Sequence, residues 1–260
     1  METKSVSVRD GAFTTKYLTG GNGPPLVFLH GAYGLQQMPL LDRLAQHFTV
    51  YAPWHPGWGD TPDDLDKLDD VIDLAIYYQD FFDALGLEHP IVAGHCFGGM
   101  IAAETTALCS RCISRLILIA PLGLWRDDAE IPDIFTIGPA ALMPLIWNDP
   151  QSPLAQAMLT PPDSQEELGR RMLERQQSLA ATGKFIWPIP DKGLKKRIHR
   201  IQVPTLILWG ASDKLVPAVY AEQFQSRIPG SQTVIIPDAS HMLMLEAEDR
   251  VLGEIVRFAV

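Results

Sequence analysis

Short apolar runs alternate with helical patterns along most of this 260-residue chain. Runs with the length and apolar content of buried strands occupy residues 25–30, 48–52, 90–95, 114–120, 204–209 and 233–236. Helical spacing of apolar residues marks residues 68–85, 97–108, 218–228 and 246–259. Strands that alternate with helices predict an α/β fold, a mostly parallel twisted sheet with helices on both faces. In such sheets, ligands bind beyond the carboxyl ends of the strands.

Residues 122–193 interrupt this alternation. The stretch is rich in proline and contains one clear helical pattern, at residues 165–180. A loop of that length without secondary structure is improbable inside a compact domain. We therefore expect residues 122–193 to form a helical lobe inserted into an α/β core, which residues 1–121 and 194–260 build.

Charge and composition disfavour some classes of binding partner. The formal net charge is −10 at pH 7, and this sign disfavours binding to nucleic acid and to anionic membrane surfaces. We find no pattern typical of a signal peptide or a membrane span, and the three cysteines are too few for a disulfide framework. We therefore expect a cytoplasmic monomer or homodimer that binds neither nucleic acid nor membrane.

The strongest local motif is GHCFGG, residues 94–99, between a predicted strand and a predicted helix. A side chain on a sharp strand-to-helix turn requires strained backbone angles, and the residues two positions before and after it must be small. Gly94 and Gly98 meet that requirement around Cys96. The turn also directs the Cys96 sulfur towards the positive end of the following helix, which favours the thiolate.

At this motif the chain resembles the α/β-hydrolase family, and the resemblance covers nearly all of the sequence. The family's G-x-S-x-G nucleophile elbow matches residues 94–98, with Cys96 in the place of the usual serine. The family places nucleophile, acid and histidine in that order, which matches Cys96, Asp213 and His241, the last two each following a predicted strand. Residues 29–32 resemble the loop that supplies a second oxyanion donor, and the inserted lobe resembles the family's helical cap.

The resemblance implies a role for each of these residues. Cys96 would attack a carbonyl carbon and form a covalent acyl-Cys intermediate, while His241 transfers protons and Asp213 orients its imidazole. The backbone N–H groups of Ala32 and Phe97 would bind the developing oxyanion. The resemblance implies neither a cofactor nor a metal ion.

The aromatic and methionine residues of the inserted lobe predict an apolar surface facing the site, as in pockets for small organic ligands. We therefore expect a small apolar or aromatic carbonyl substrate. We expect His95, next to Cys96, mainly to pack behind the residues of the site. The candidate substrate-binding residues are His30, Gly31, His95, Trp125, Phe135, Met143, Trp147 and Trp187.

Three motifs admit other interpretations. Cys109 and Cys112 have C-x-x-C spacing, but no second ligand pair accompanies them, so we expect neither a zinc site nor a redox motif. Asp213 also suits the N-cap of the following helix. Asp238 is a possible substitute acid, although it lies close in sequence to His241.

The favoured function is a hydrolase that cleaves an ester, a lactone, a thioester or a C–C bond next to a carbonyl. Thiolate is a better leaving group than alkoxide, so activated acyl compounds suit a cysteine nucleophile better than amides do. Three alternatives stay open: an acyltransferase, a serine hydrolase in which cysteine was installed at position 96, and a small-molecule receptor on the same fold.

Overall fold

The structure is a computed structural model and describes residues 1–35, 38–59 and 61–260. Its sheet has eight strands in the order β1-β2-β4-β3-β5-β6-β7-β8. The strands are β1 (Glu2–Val8), β2 (Phe13–Gly20), β3 (Pro25–Leu29), β4 (Thr49–Pro53), β5 (Ile91–His95), β6 (Arg115–Ile119), β7 (Thr205–Gly210) and β8 (Gln232–Ile236). The sheet from β4 through β3, β5, β6 and β7 to β8 is parallel, which confirms the mostly parallel α/β fold.

The N-terminal hairpin of β1 and β2 was not predicted from the sequence. The two strands pair antiparallel, and β2 also pairs antiparallel with β4. Residues of β1 are mostly exposed, while β2 alternates buried and exposed positions. Neither strand therefore contains the continuous apolar run that identifies a buried parallel strand.

The helices connect the strands and cover the sheet. The predicted helix at residues 68–85 corresponds to α2 (Val71–Ala84), which follows a separate 3₁₀ helix (Pro62–Lys67), and the predicted last helix is divided at Ala247. The helix α2 begins at Val71 because the Asp70 side chain caps the N–H groups of Ile72 and Asp73. The helices are α1 (Pro39–Leu44), α2 (Val71–Ala84), α3 (Phe97–Leu108), α4 (Pro139–Ile146), α5 (Pro153–Leu159), α6 (Gln165–Ile186), α7 (Val219–Gln225), α8 (Leu243–Glu246) and α9 (Glu248–Ala259).

Residues 122–193, between β6 and β7, contain α4, α5 and α6. Only α6 was predicted from the sequence, and it extends to Ile186, six residues beyond the predicted end at residue 180. Both α4 and α5 begin with a proline, which is favourable in the first helical turn because the missing N–H would have no partner there. The high proline content is therefore the reason that these two helices were not predicted from the sequence. The division into core and lobe at these boundaries stays a prediction.

The segment 122–193 packs against the loops that follow the last two strands. In α4, the carbonyl of Leu145 accepts from Lys214 N–H (3.2 Å) and that of Ile146 from Met242 N–H (3.0 Å). In α6, the Phe185 ring lies 6.0 Å from that of Phe97. These contacts bring the segment to the carboxyl edge of the sheet.

Two further features bear on the expectations from the sequence. Cys109 and Cys112, at the end of α3, form a disulfide, which the sequence analysis did not predict. Among the described residues, no helix combines the length and apolar character that a membrane span requires.

Candidate active site

Cys96 occupies a tight turn between β5 and α3. Its φ of 54° lies in the left-handed region, which costs a non-glycine residue on the order of 1–3 kcal/mol and persists only where the surroundings impose it. Its N–H donates to Ile119 O (3.0 Å), and its carbonyl accepts from Met100 and Leu122 N–H (3.1 and 3.0 Å). The Cys96 side chain, 5% exposed, is thus fixed at the start of α3.

The glycines on either side are required by close backbone approach. A Cβ at Gly94 would lie 2.3 Å from Gly98 O, and one at Gly98 would lie 2.1 Å from Leu29 O. Since these neighbours are backbone atoms, they cannot move aside as a flexible side chain could. The residue types predicted around Cys96 are therefore the ones that the turn admits.

His241 and Asp213 meet beside this turn. His241 Nδ1 donates to Asp213 Oδ2 at 2.8 Å, and both side chains are buried. The other carboxylate oxygen accepts from the N–H groups of Leu215 and Val216 (3.0 and 2.8 Å). Asp213 therefore caps the following turn with one oxygen and orients the imidazole with the other. Asp238, the alternative acid, is exposed.

The loops that carry the two residues touch each other at the backbone. A Cβ at Gly210 would lie 2.2 Å from Ser240 O, and Ser212 N–H donates to Ala239 O at 2.9 Å. His95 fixes the same loop from the other side, since its Nε2 donates to His241 O at 2.9 Å. Burial, followed by the charge of His241, lowers the pKa of His95 to about 3, so it remains neutral.

The second ring nitrogen of His241 faces the nucleophile candidate. Nε2 is buried and makes no hydrogen bond to another described residue, while the ring is electrostatically coupled to Cys96. Burial lowers the pKa of His241, but the negative charges of Asp213 and Cys96 outweigh it and raise this pKa to about 10. The imidazole can therefore carry a proton at neutral pH.

The backbone N–H groups predicted to bind an oxyanion have no protein partner in the described part of the chain. Ala32 and Phe97 are buried, and neither N–H finds an acceptor within the described part of the chain. Buried N–H groups without a protein partner are rare. Gly31 lets this loop approach the elbow, since a Cβ there would lie 3.3 Å from Cys96 Cβ.

A chain of buried hydrogen bonds fixes the loop that carries Ala32. Tyr78 OH bonds to His55 Nδ1, and His55 Nε2 lies 2.9 Å from His30 O. His55 N–H donates to His30 Nε2 at 3.1 Å, and His30 Nδ1 lies 2.7 Å from Gly31 O. The rings of His30 and His55 are 3.8 Å apart.

These partners assign the protons of both rings. His30 Nε2 accepts, so Nδ1 carries the proton and donates to Gly31 O; His55 Nε2 donates, so its Nδ1 accepts from Tyr78. Burial lowers the pKa of His30 to about 4 and that of His55 further below its usual value, so both rings are neutral. Because a trans peptide directs its C=O and N–H oppositely, fixing Gly31 O also fixes the direction of Ala32 N–H.

From the sequence, His30 is a substrate-binding candidate, whereas Tyr78 is not among the predicted site residues. The structure gives both ring nitrogens of His30 protein partners, so they are already occupied within the loop. One signal for the pairing was present: His30 and His55 each follow a strand, and β3 and β4 are neighbours in the sheet. Tyr78 gave no such signal, because it lies on the apolar face of α2.

The candidates from residues 122–193 are placed differently from one another. Met143 and Trp147 in and after α4 are buried, and the indole Nε1 of Trp147 has no partner among described residues. Phe135 is half-buried and packs near Gly183. Trp125 Nε1 donates to Asp127 (2.8 Å) at the surface. Trp187 is 59% exposed, so the structure does not place it in an enclosed pocket.

Across residues 1–35, 38–59 and 61–260, no cluster of three or more His, Cys, Asp or Glu side chains has the geometry to bind a metal ion. The side chains of Cys96, His241 and Asp213 and the nearby backbone N–H groups can supply nucleophilic attack, proton transfer and hydrogen bonding to an oxyanion.

Comparisons with known proteins agree with the α/β fold. A model of the alpha/beta hydrolase family matches residues 26–254. A dihydrolipoyllysine-residue acetyltransferase component of the acetoin cleaving system from Pseudomonas putida is 28% identical over 263 residues, which cover 93% of this chain but only 65% of that protein.

A second relative and a solved structure match over greater shares of their own length. The 2-hydroxy-6-oxo-6-(2'-aminophenyl)hexa-2,4-dienoic acid hydrolase of Metapseudomonas resinovorans is 26% identical over 257 residues, 92% of this chain and 85% of that protein. The crystal structure of a putative lipase from Acinetobacter baumannii AYE superposes with a TM-score of 0.75 at 26% identity, covering 99% of this chain and 90% of that one.

Proposed function

The chain is a member of the alpha/beta hydrolase family, and on that premise we propose that it is a cofactor-independent hydrolase with Cys96 as its nucleophile. The observation that carries the proposal is the buried His241–Asp213 pair beside a cysteine held in a strained turn. The substrate is a small carbonyl compound, an ester, a lactone, a thioester or a compound cleaved at a C–C bond next to a carbonyl. Residues 122–193 act as a helical cap over it.

The first half of the reaction forms a C–S bond. An imidazolium at His241 stabilises the thiolate of Cys96, which attacks the carbonyl carbon. The N–H groups of Ala32 and Phe97 stabilise the oxyanion, and loss of one such donor costs about 10²–10³ in kcat in a known protease. As the tetrahedral intermediate collapses, the bond to the leaving group breaks and His241 Nε2 gives that group its proton.

The second half returns the enzyme to its starting state. His241, now neutral, accepts a proton from water as the water oxygen attacks the acyl carbon. Asp213 stabilises the imidazolium that forms. The C–S bond then breaks, and the products are a carboxylic acid and the original thiolate–imidazolium pair.

A rapid-quench experiment with p-nitrophenyl butyrate tests the proposal. We expect a burst of about one equivalent of nitrophenol and an acyl adduct that intact-mass and peptide analysis locate on Cys96. Cys96→Ala should show neither, whereas a Cys109→Ala/Cys112→Ala double variant should show both. No burst and no turnover across a panel of activated aryl esters, with ligand binding retained, would instead favour a receptor.

The variant Cys96→Ser separates a working thiol from an installed one. If the site is built around the thiol, the serine variant should lose at least about tenfold in kcat/KM, because a serine needs a base to remove its proton during attack. A serine variant that is far more active on esters would mean that the family's usual serine is the residue suited to this site.

Transfer to an acceptor other than water is the second candidate function. It is favoured by the acyl-Cys intermediate together with the relative that is named as an acetyltransferase component. Adding an alcohol, an amine or a thiol to the reaction and quantifying the products distinguishes the two. Formation of the transfer product in preference to the acid would reject simple hydrolysis.

A further inference from the structure

One guanidinium of α6 lies against the loop that carries the oxyanion donor Ala32. The Cζ atom of Arg175, a half-buried residue, is 6.0 Å from the centre of the Tyr33 ring. Tyr33 directly follows Ala32 in the chain. This contact brings a positive charge from residues 122–193 to the edge of the candidate active site.

Among the described residues, Arg175 differs from its neighbours on the same helix in having no acidic partner. Arg170 and Arg171 pair with Glu167 at 2.6 and 3.0 Å. No carboxylate forms an ion pair with Arg175 in the part of the chain that the structure describes. This is notable in a chain with 31 acidic and 21 basic residues, where a cation has many potential partners.

Tyr33 presents a second unsatisfied group at the same place. Its hydroxyl oxygen is buried and has no hydrogen-bond partner among described residues. Burial raises the pKa of Tyr33, Arg175 lowers it, and the charge of Cys96 raises it slightly. The phenol is therefore electrostatically coupled both to the guanidinium and to the nucleophile.

An unpaired cation and an unbonded buried hydroxyl each cost free energy in the free protein. A carboxylate would satisfy both, because a guanidinium binds its two oxygens in a fork and a phenol can donate to the same group. A neutral apolar ligand would leave both groups unsatisfied. The pair therefore has the chemistry of an anion-binding subsite within range of the nucleophile.

We propose that the substrate carries a carboxylate, which binds between Arg175 and Tyr33 while its carbonyl carbon lies at Cys96. The inference rests on the proposed function, since it places the subsite relative to that nucleophile. It names the substrate class as carbonyl compounds with a second, anionic end, which differs from the small apolar or aromatic substrate expected from the sequence.

The test compares two matched substrates: the mono-p-nitrophenyl ester of adipic acid and the same ester with its free carboxylate replaced by a primary amide. We expect the wild type to prefer the carboxylate by at least about tenfold in kcat/KM. Arg175→Gln should reduce that preference at least about tenfold, and Tyr33→Phe should reduce it several-fold. Arg171→Gln, on the same helix but paired with Glu167, is the control and should leave the preference unchanged.

A binding measurement keeps this proposal separate from the proposed function. Calorimetric titration of Cys96→Ala with adipic acid monoamide and with adipamide should show tighter binding of the carboxylate, and Arg175→Gln in that background should remove the difference. If the wild type turns over neither ester while this binding pattern holds, the subsite stands and the hydrolase proposal fails. Equal binding of both probes, or a preference that Arg175→Gln does not change, would overturn the subsite.

Discussion

On the core side of the candidate active site, both ring nitrogens of His30 and of His55 and both oxygens of Asp213 are bonded within the protein. Residues 122–193 form the opposite side, where some polar groups have no partner among the described residues. The Trp147 indole has no partner and Arg175 has no carboxylate among the described residues. The same segment also exposes Met172, Leu173 and Trp187, each about 60%.

The difference follows from what each half has to do. Groups that act on the reacting carbonyl must be oriented before the substrate arrives, because a misplaced donor or base loses most of its effect. Groups that recognise the rest of the substrate can acquire their partners from it. In the core half, the groups that support the site are therefore bonded, while those that would meet the substrate, such as His241 Nε2 and the N–H groups of Ala32 and Phe97, have no partner among the described residues.

The largest predicted effect on kcat comes from replacing Asp213, the proposed acid of the core half. Asp213→Asn should lower kcat by about 10⁴, as the equivalent change does in a serine protease, because the amide favours the wrong imidazole tautomer. Steady-state kinetics with an activated ester measures the loss. Asp238→Asn is the matched control, since Asp238 is exposed; a similar loss there would identify Asp238 as the acid.

Substitution of glycines should have opposite effects on stability in the two halves. Gly98→Ala should lower the free energy of unfolding by about 1–3 kcal/mol, because its Cβ would lie 2.1 Å from Leu29 O. Gly169→Ala in α6, where nothing lies within 4 Å, should raise it by about 0.5–1 kcal/mol by reducing the flexibility of the unfolded chain. Urea unfolding measures both, and equal effects would contradict the contrast.

A smaller effect should appear when the hydrogen-bond chain behind Ala32 is shortened. Tyr78→Phe leaves His55 Nδ1 without its donor, so we expect kcat for acylation to fall by about tenfold with little change in KM, since a misaligned oxyanion donor acts on the transition state.

The adjacent Tyr77→Phe is the control for that change. Tyr77 is also a buried tyrosine of α2, but its hydroxyl bonds to Thr15, away from the oxyanion loop. We expect it to lower stability without changing kcat. Equal losses of kcat in the two variants would mean that the effect of Tyr78 is general destabilisation.

The smallest predicted effect concerns the titration of His241. Its pKa is 6.5 in an unfolded chain and about 10 in the folded protein, so the folded state binds the proton more tightly. Its contribution to stability is therefore complete below about pH 6.5 and is lost as the pH rises through 10. Removing the charge of Asp213 or of Cys96 should lower this pKa, which NMR of the imidazole can follow. An unchanged pKa in both Asp213→Asn and Cys96→Ala would contradict the coupling.

Much of this site was predictable because it depends on short-range sequence. Gly94 and Gly98 mark the strained turn by themselves, the strand before Asp213 is an apolar run, and the strand before His241 ends in three apolar residues. The sequence gave no comparable signal for Tyr33 and Arg175, which are far apart in the chain. Their contact depends on how α6 packs over the first loop, and no local pattern encodes that packing.

The sequence by itself determined the parallel sheet, the elbow around Cys96 and the strand ends that carry Asp213 and His241, because hydrophobic periodicity and glycine positions act over a few residues. The tertiary structure decided the rest: the N-terminal hairpin, the proline-started helices α4 and α5, the bonds from Tyr78 to the oxyanion loop and the contact of Arg175 with Tyr33. The pairing of β2 with β4, the bond from Tyr78 to His55 and the contact of Arg175 with Tyr33 join distant segments, where the free energy comes from burial and hydrogen bonding that no single segment contains.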